Sequence, residues 1–302
     1  MHRPVCQLPD YGSWADLVKR CVSPSLGERS GRAILSFSNT QVMRETTGTG
    51  MIQKGAQRRR FGDFTYREIH EYAQQGWLVI IPTGCTEQQG PHLPVDFDTW
   101  FAETLMVAAA EKAAQQYAVQ ALVLPAMPFG PTPEHRQFGS GFVDVPHALH
   151  HALTEAILHS LLTQGFQRMV LWRGCGGHAL EEVVDHFNQT YQGQAHVFFP
   201  PHPFHEIWCR LADPSIAGGH ADSFTTSISL YLRPESVRQD QIWNPHSTAV
   251  DWDDPQLDFA RYSSTGVIGD PTHASAALGK RLWEAAVEEA ASTFKRVAAV
   301  EV

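Results

Sequence analysis

Gly84-Cys-Thr-Glu-Gln-Gln-Gly-Pro-His-Leu-Pro-Val-Asp-Phe-Asp98 is the stretch whose reading decides the fold of this chain. It follows Trp77 to Pro82, an apolar run with Val79, Ile80 and Ile81, and it precedes an Ala-rich run from Thr99 to about Tyr117. A short apolar run closed by Pro and Gly reads as a buried strand, and a long Ala-rich run reads as a helix. The loop between them is therefore expected at the carboxyl end of a strand, where open α/β sheets bind their ligands. Glu87, His92, Asp96 and Asp98 crowd into that loop. Such crowding is costly unless a cation, a proton or a catalytic task uses it.

The same alternation continues outward. Before the loop, Tyr66, Ile69, Tyr72 and Ala73 give a helical pattern over Phe64 to Gln75. After it, Val119 to Leu124 reads as a second strand, and Pro128 to Gly141 is too rich in Pro and Gly for either regular element. Leu149, Leu153, Ile157 and Leu161 recur every four residues and predict the apolar stripe of a helix closed by Gly165. Met169 to Trp172 is a third strand, followed by Arg173-Gly-Cys-Gly-Gly-His178, a helix from Ala179 to about Tyr191 and a strand Ala195 to Phe199. Pro200 to His220 reads as loop, Ser223 to Leu232 as helix, Asn244 to Asp270 as irregular, and Ala274 to about Val297 as a last helix. Strands alternating with helices at this spacing predict an α/β fold, a mainly parallel sheet flanked by helices on both faces. Residues 1–60 show only a short possible helix at Trp14 to Val22 and are expected to form an N-terminal extension to an α/β domain over 61–302.

Composition narrows the function. The formal charge of −9 comes without a basic tract longer than Arg58, Arg59 and Arg60, which argues against nucleic acid or an anionic membrane as partner. No apolar run reaches the roughly 18 residues of a membrane span, and the first residues lack a signal-peptide core, so a cytoplasmic protein is expected. The cysteines are Cys6, Cys21, Cys85, Cys175 and Cys209, an odd number without close pairing, so neither a disulfide scaffold nor a zinc ribbon is expected.

Several side chains carry candidate chemistry. Glu87 sits between a buried strand and a Gly-Pro turn with little solvated room, whereas Asp98 reads equally as a ligand or as a helix N-cap. Cys175, among glycines at a strand-to-helix turn, is expected to have a lowered pKa, suited to a thiolate ligand or a nucleophile. His178 near the helix start could be ligand, base or cap. His135 and His220 lie in Gly/Pro-rich loops expected on the same side of the sheet, while His92 reads as a structural histidine.

These residues resemble the creatininase (creatinine amidohydrolase) family. Pro82 to Pro94 with Asp98 is similar to the family's signature loop, whose usual form reads Pro-Val-Gly-Ser-Thr-Glu-Gln-His-Gly-Pro-His-Leu-Pro. Pro128-Phe-Gly130 with Glu134-His135, the turn Arg173 to His178, His220 to Ser227, and Gly266-Val-Ile-Gly-Asp-Pro-Thr272 agree in order with further family segments. The resemblance implies an α/β amidohydrolase, typically hexameric, in which two divalent metals activate a water. By position Glu87 matches a metal-ligand Glu and Asp98 the bridging Asp. The chain departs from the pattern where ligand histidines have become Gln89 and Cys175, where a ligand Glu has become Gly177, and where a later Glu has become Ser223. A second metal site through Gln89 and Gly177 should therefore be weak or absent.

Two mechanisms stay open on these grounds. In one, a single divalent metal, with zinc the expected ion, is held by Glu87, Asp98 and Cys175, with His178 or His220 completing the site. In the other, no metal is used and Cys175 attacks the carbonyl, with His178 or His220 as base oriented by Glu87. Gln89, His135, Gly176 and Gly177 are assigned to substrate binding. The expected substrate is a small cyclic or formyl amide, hydrolysed or formed by the reverse ring closure, and the expected assembly is a homo-oligomer. The contrasting reading is a pseudoenzyme that keeps the scaffold to bind a small molecule or to join a complex.

Overall fold

In a computed structural model, which describes residues 58–216 and 218–302, four parallel strands lie in the order β2, β1, β3, β4. They are β1 (Leu78–Thr83), β2 (Ala121–Val123), β3 (Arg168–Arg173) and β4 (His196–Phe198). Every residue of β1 is buried, as a central strand between two layers requires. Its side chains alternate: Leu78 and Ile80 enter one hydrophobic cluster, Val79 and Ile81 the other. The α/β architecture is the one expected. The helices are α1 (Tyr66–Gln74), α2 (Phe97–Tyr117), α3 (His147–Thr163), α4 (Glu181–Thr190), α5 (Phe204–Leu211), α6 (Ser223–Leu232) and α7 (Ala276–Ala298).

Local sequence explains most boundaries. Thr65 and Glu68 form a reciprocal capping box that starts α1. Asp222 accepts from the backbone N–H groups of Phe224 and Thr225 to start α6, and Ser275 accepts from Leu278 to start α7. Helices α2, α5, α6 and α7 cover one face of the sheet through Phe101, Phe204, Ile228 and Phe294; α1, α3 and α4 cover the other through Ile69, Leu158 and Phe187. The strands order themselves so that β2 lies on one side of β1 and β3 on the other. Chain direction across the sheet therefore reverses between β1 and β3, the place where such sheets open a crevice.

Three expectations need correction. The stretch 200–220 contains helix α5, whose buried Phe204, Ile207 and Trp208 give it an apolar face too short to stand out among prolines. On α3 the buried residues are His150, Thr154, Leu158 and Leu161, while Leu149 and Leu153 are exposed; the polar pair His150 and Thr154 hides the true inner face from a purely hydrophobic count. Helix α4 begins at Glu181, not Ala179. The possible helix at 14–22 and nearly all of the 1–60 extension lie outside the described residues, but Arg59 at its end accepts a 2.7 Å hydrogen bond from Val123 N–H. No helix among the described residues is long and apolar enough to cross a membrane.

Two predictions come from this packing. A Cβ at Gly279 in α7 would lie 1.9 Å from the carbonyl oxygen of Ser227 in α6, so Gly279→Ala should lower unfolding free energy by about 1–3 kcal/mol in a denaturant titration. His150 and His92 are buried, and burial pulls each pKa down to about 4 from an unfolded value of about 6.5. Below about pH 6.5 the unfolded chain binds protons that the folded chain refuses, so stability should fall from there toward pH 4 and then level, by up to about 3 kcal/mol per histidine. His150→Leu should make the acid limb of a pH series of denaturation midpoints shallower.

Candidate active site

The site is built where β1 and β3 end. Their parallel register sets Thr83 beside Arg173, so the loops that leave the two strands start as neighbours. The approach is close enough that a Cβ on Gly174 would lie 2.0 Å from the carbonyl oxygen of Thr83, and one on Gly84 would lie 2.5 Å from Cα of Thr99. Only glycine fits at either position. The β1 loop is then closed on itself by a hydrogen bond from Glu87 N–H to the Val95 carbonyl at 3.1 Å. Asp98 falls in the first turn of α2, whose N-cap is Asp96, so the capping alternative for Asp98 does not apply.

Four acidic or thiol groups meet there. Cys85 Sγ lies 3.1 Å from Glu87 Oε2 and 3.3 Å from Asp98 Oδ2, and Cys175 Sγ lies 3.7 Å from the same oxygen of Glu87. Gln89 Nε2 donates to Asp98 Oδ2 at 2.7 Å and to Glu87 Oε1 at 3.3 Å. Two histidines approach Glu87 from its other side: His135 Nε2 is 3.3 Å from Oε2, and His220 Nδ1 is 3.4 Å from Oε1. All of these side chains are buried.

The hydrogen bonds assign the tautomers. Gly90 N–H donates to Gln88 Oε1 at 2.9 Å, so the Gln88 amide turns its NH₂ toward His135 Nδ1 at 3.0 Å. His135 then carries its proton on Nε2, facing Glu87. His220 donates Nε2–H to the Gln88 carbonyl at 2.6 Å, which leaves the Nδ1 lone pair directed at a carboxylate oxygen. Two acceptors cannot face each other without a proton or a cation between them.

The electrostatics point the same way. Burial raises the pKa of Glu87, and burial followed by the charge of Glu87 pushes Asp98 well above the usual carboxylate range. Cys85 is pushed well up by burial, and His220 well down by burial. The charged forms are thus disfavoured when nothing positive is present, which fits a site made to receive a cation. Its donor set of carboxylates, thiols and an imidazole whose far nitrogen is held by a backbone carbonyl suits a divalent ion.

The structure therefore brings Glu87, Gln89, Asp98, His135, Cys175 and His220 together. Gly176 and Gly177 line the adjoining cavity. His178 is not on that cavity: it is fully buried with Nδ1 3.0 Å from Thr83 Oγ1, its ring packs 4.7 Å from His150, and Nε2 faces Gly130. Burial holds its pKa at about 3, and a ring nitrogen of His178 lies within 4.8 Å of the Cys85 and Cys175 sulphurs, so it stands behind the thiols rather than on the cavity wall. The expectation of a lowered Cys175 pKa is also reversed. The hydrogen bond with Cys85 pulls that thiol down, but burial and the charges of Glu87, Asp98 and Glu134 outweigh it and push it up to about 12. The turn is not a helix N-terminus, because α4 starts only at Glu181.

Two further residues join the site unforeseen. Cys85 is one, and its spacing of two residues from Glu87 was the available signal. Glu134 is the other: its Oε1 lies 3.6 Å from where a Cβ on Gly177 would stand and 3.6 Å from His135 Nε2, and burial raises its pKa to about 7. The cavity beside these groups measures about 430 Å³ and has walls of Phe97, Phe101, Phe204, Trp208, Phe224 and Trp252. No Lys or Arg is among its described lining residues.

The comparisons with known proteins agree in family. The Creatininase model, described as creatinine amidohydrolase, matches residues 62–294. A mycofactocin precursor peptide peptidase from Mycolicibacterium smegmatis (strain ATCC 700084 / mc(2)155) is 28% identical over 238 residues, 78% of this chain and 90% of the relative. Among solved structures, a creatininase of Zn-Zn type superposes with a TM-score of 0.66 at 23% identity, covering 78% of this chain and 96% of that one. A creatininase with Mn superposes at 0.64 and 22% identity, covering 78% and 97%.

Proposed function

The chain belongs to the creatininase family, hydrolases of carbon–nitrogen bonds, and from that premise we propose that it cleaves an amide bearing an apolar or aromatic arm with the help of one divalent cation. The observation that carries this reading is the convergence of Glu87, Asp98 and Cys175 at the head of an aromatic-walled cavity. These three side chains would hold the ion, with zinc the expected one because a thiolate favours it. When bound, such an ion polarises the amide carbonyl and lowers the pKa of a water.

The remaining groups position and move protons. His135 and Gln89 direct N–H groups at the carboxylates and keep them oriented. Glu134 lines the cavity next to Gly177, with a pKa of about 7 that suits it to take a proton from water near neutral pH and return it to the departing nitrogen. The carbon–nitrogen bond breaks with the uptake of one water. Gly176 and Gly177 are assigned to the carbonyl oxygen of the substrate. The metal-free route through Cys175 has less support, because that thiol is held at about 12 and its hydrogen-bond partners are Glu87 and Cys85, with no histidine among them.

For the substrate, a small cyclic or formyl amide with an apolar arm fits a cavity of about 430 Å³. The similarity to a relative named for a precursor peptide favours a second reading, a short peptide whose apolar side chains cover the aromatic walls. Self-association is expected from the family resemblance and is supported by the exposed Leu149 and Leu153 on α3; sedimentation of the full chain tests it.

Purified protein should carry close to one equivalent of divalent metal by elemental analysis, and removal by a chelator should abolish amide hydrolysis until the ion is restored. Glu134→Gln should lower kcat by about 10²–10⁴ with KM little changed, measured on any amide the enzyme turns over. A metal-free preparation that hydrolyses amides at the full rate would overturn the reading.

A further inference from the structure

Cys85 is the feature that the family reading leaves unused. The family's usual loop has Ser at this position, and here a second thiol points into the carboxylate pair from the β1 side while Cys175 points in from the β3 side. Both sulphurs share Glu87 Oε2, at 3.1 and 3.7 Å, and Cys85 also reaches Asp98 Oδ2 at 3.3 Å. Atoms bound tetrahedrally to one zinc ion at about 2.0–2.3 Å stand roughly 3.3–3.8 Å apart. The observed separations fall close to that range.

A second observation points to a cation. Gln89 Oε1 is buried without a partner, and the Nδ1 lone pair of His220 faces Glu87 Oε1 at 3.4 Å with no donor between them. Two acids and two thiols so enclosed, with no Lys or Arg on the described walls, lack the positive charge that would offset their burial. Manganese prefers oxygen donors, whereas paired thiolates select zinc-like ions.

We propose that Cys85 is a metal ligand, so that Cys85 and Cys175 with Glu87 and Asp98 form a two-sulphur, two-oxygen centre selective for a thiophilic divalent ion over manganese. The inference rests on the single-metal reading above and adds to it the second sulphur. Binding would displace both thiol protons, and the proton held between the Glu87 and Asp98 carboxyl groups, to solvent, and the N–H groups of Gln89 and His135 would spread the remaining negative charge over the carboxylates.

Cobalt substitution of the full chain tests it, because a thiolate bound to Co²⁺ gives a near-ultraviolet charge-transfer band whose intensity per bound ion counts sulphurs. The wild type should show a band that falls about two-fold in Cys85→Ser and about two-fold in Cys175→Ser, and is unchanged in Cys209→Ser, whose cysteine is exposed. Serine at 85 is the family's usual residue, so that variant is expected to fold; Cys175→Ser gives the second measurement. A full wild-type band in Cys85→Ser overturns the second sulphur while leaving the single-metal enzyme standing. A cobalt protein without any such band overturns the sulphur centre altogether, and failure to bind any divalent ion overturns the single-metal reading with it.

Discussion

The parallel pairing of β1 with β3 is the constraint on which the site depends. Backbone register alone sets Thr83 against Arg173, and the absence of a side chain at Gly174 lets the two strand ends approach within contact. From that point the loops have little choice. Thr83 Oγ1 donates to the Trp172 carbonyl at 3.1 Å and meets His178 Nδ1 at 3.0 Å, so one hydroxyl ties the β1 end to the β3 strand and to the turn beyond it. Cys85 and Cys175, 90 positions apart, are brought to one carboxylate oxygen by these ties.

The cluster they form is electrostatically frustrated when it holds protein atoms alone. Desolvation raises Glu87, Asp98 and both thiols and lowers His220, so each group resists its charged form. A buried set of this kind stores unfavourable free energy that the surrounding sheet and helices must carry. The divalent ion proposed above would release it, because the same low polarity that penalises an isolated anion strengthens its attraction to a cation. Binding of such an ion would then be coupled to folding at this point in the molecule.

Much of the fold was legible because it rests on local periodicity. The strands at the sheet centre are short apolar runs ended by Pro or Gly, and Ser223–Leu232 appears as read. Glu87 and Cys175 were legible as candidates because each follows closely on a strand end, and Asp98 because it stands where the loop gives way to a helix. Other features depend on distant partners and left no such mark. Leu149 and Leu153 look like the inner stripe of α3, but His150 and Thr154 face inward because His150 packs on His178. His178 reads as a ligand, a base or a cap near a helix start, and only the tertiary position of Gly130 shows that its ring fills a gap in the interior. Cys85 was assigned no role, since a free cysteine is most often simply buried.

Glu134 and Gly177 are immediate neighbours, since the carboxylate comes to 3.6 Å from where a Cβ at 177 would stand. A side chain restored at 177 would meet an acid already in place. An alanine at 177 would rest in ordinary contact with the Glu134 carboxylate, whereas a long acidic side chain there would compete for the space that carboxylate already fills.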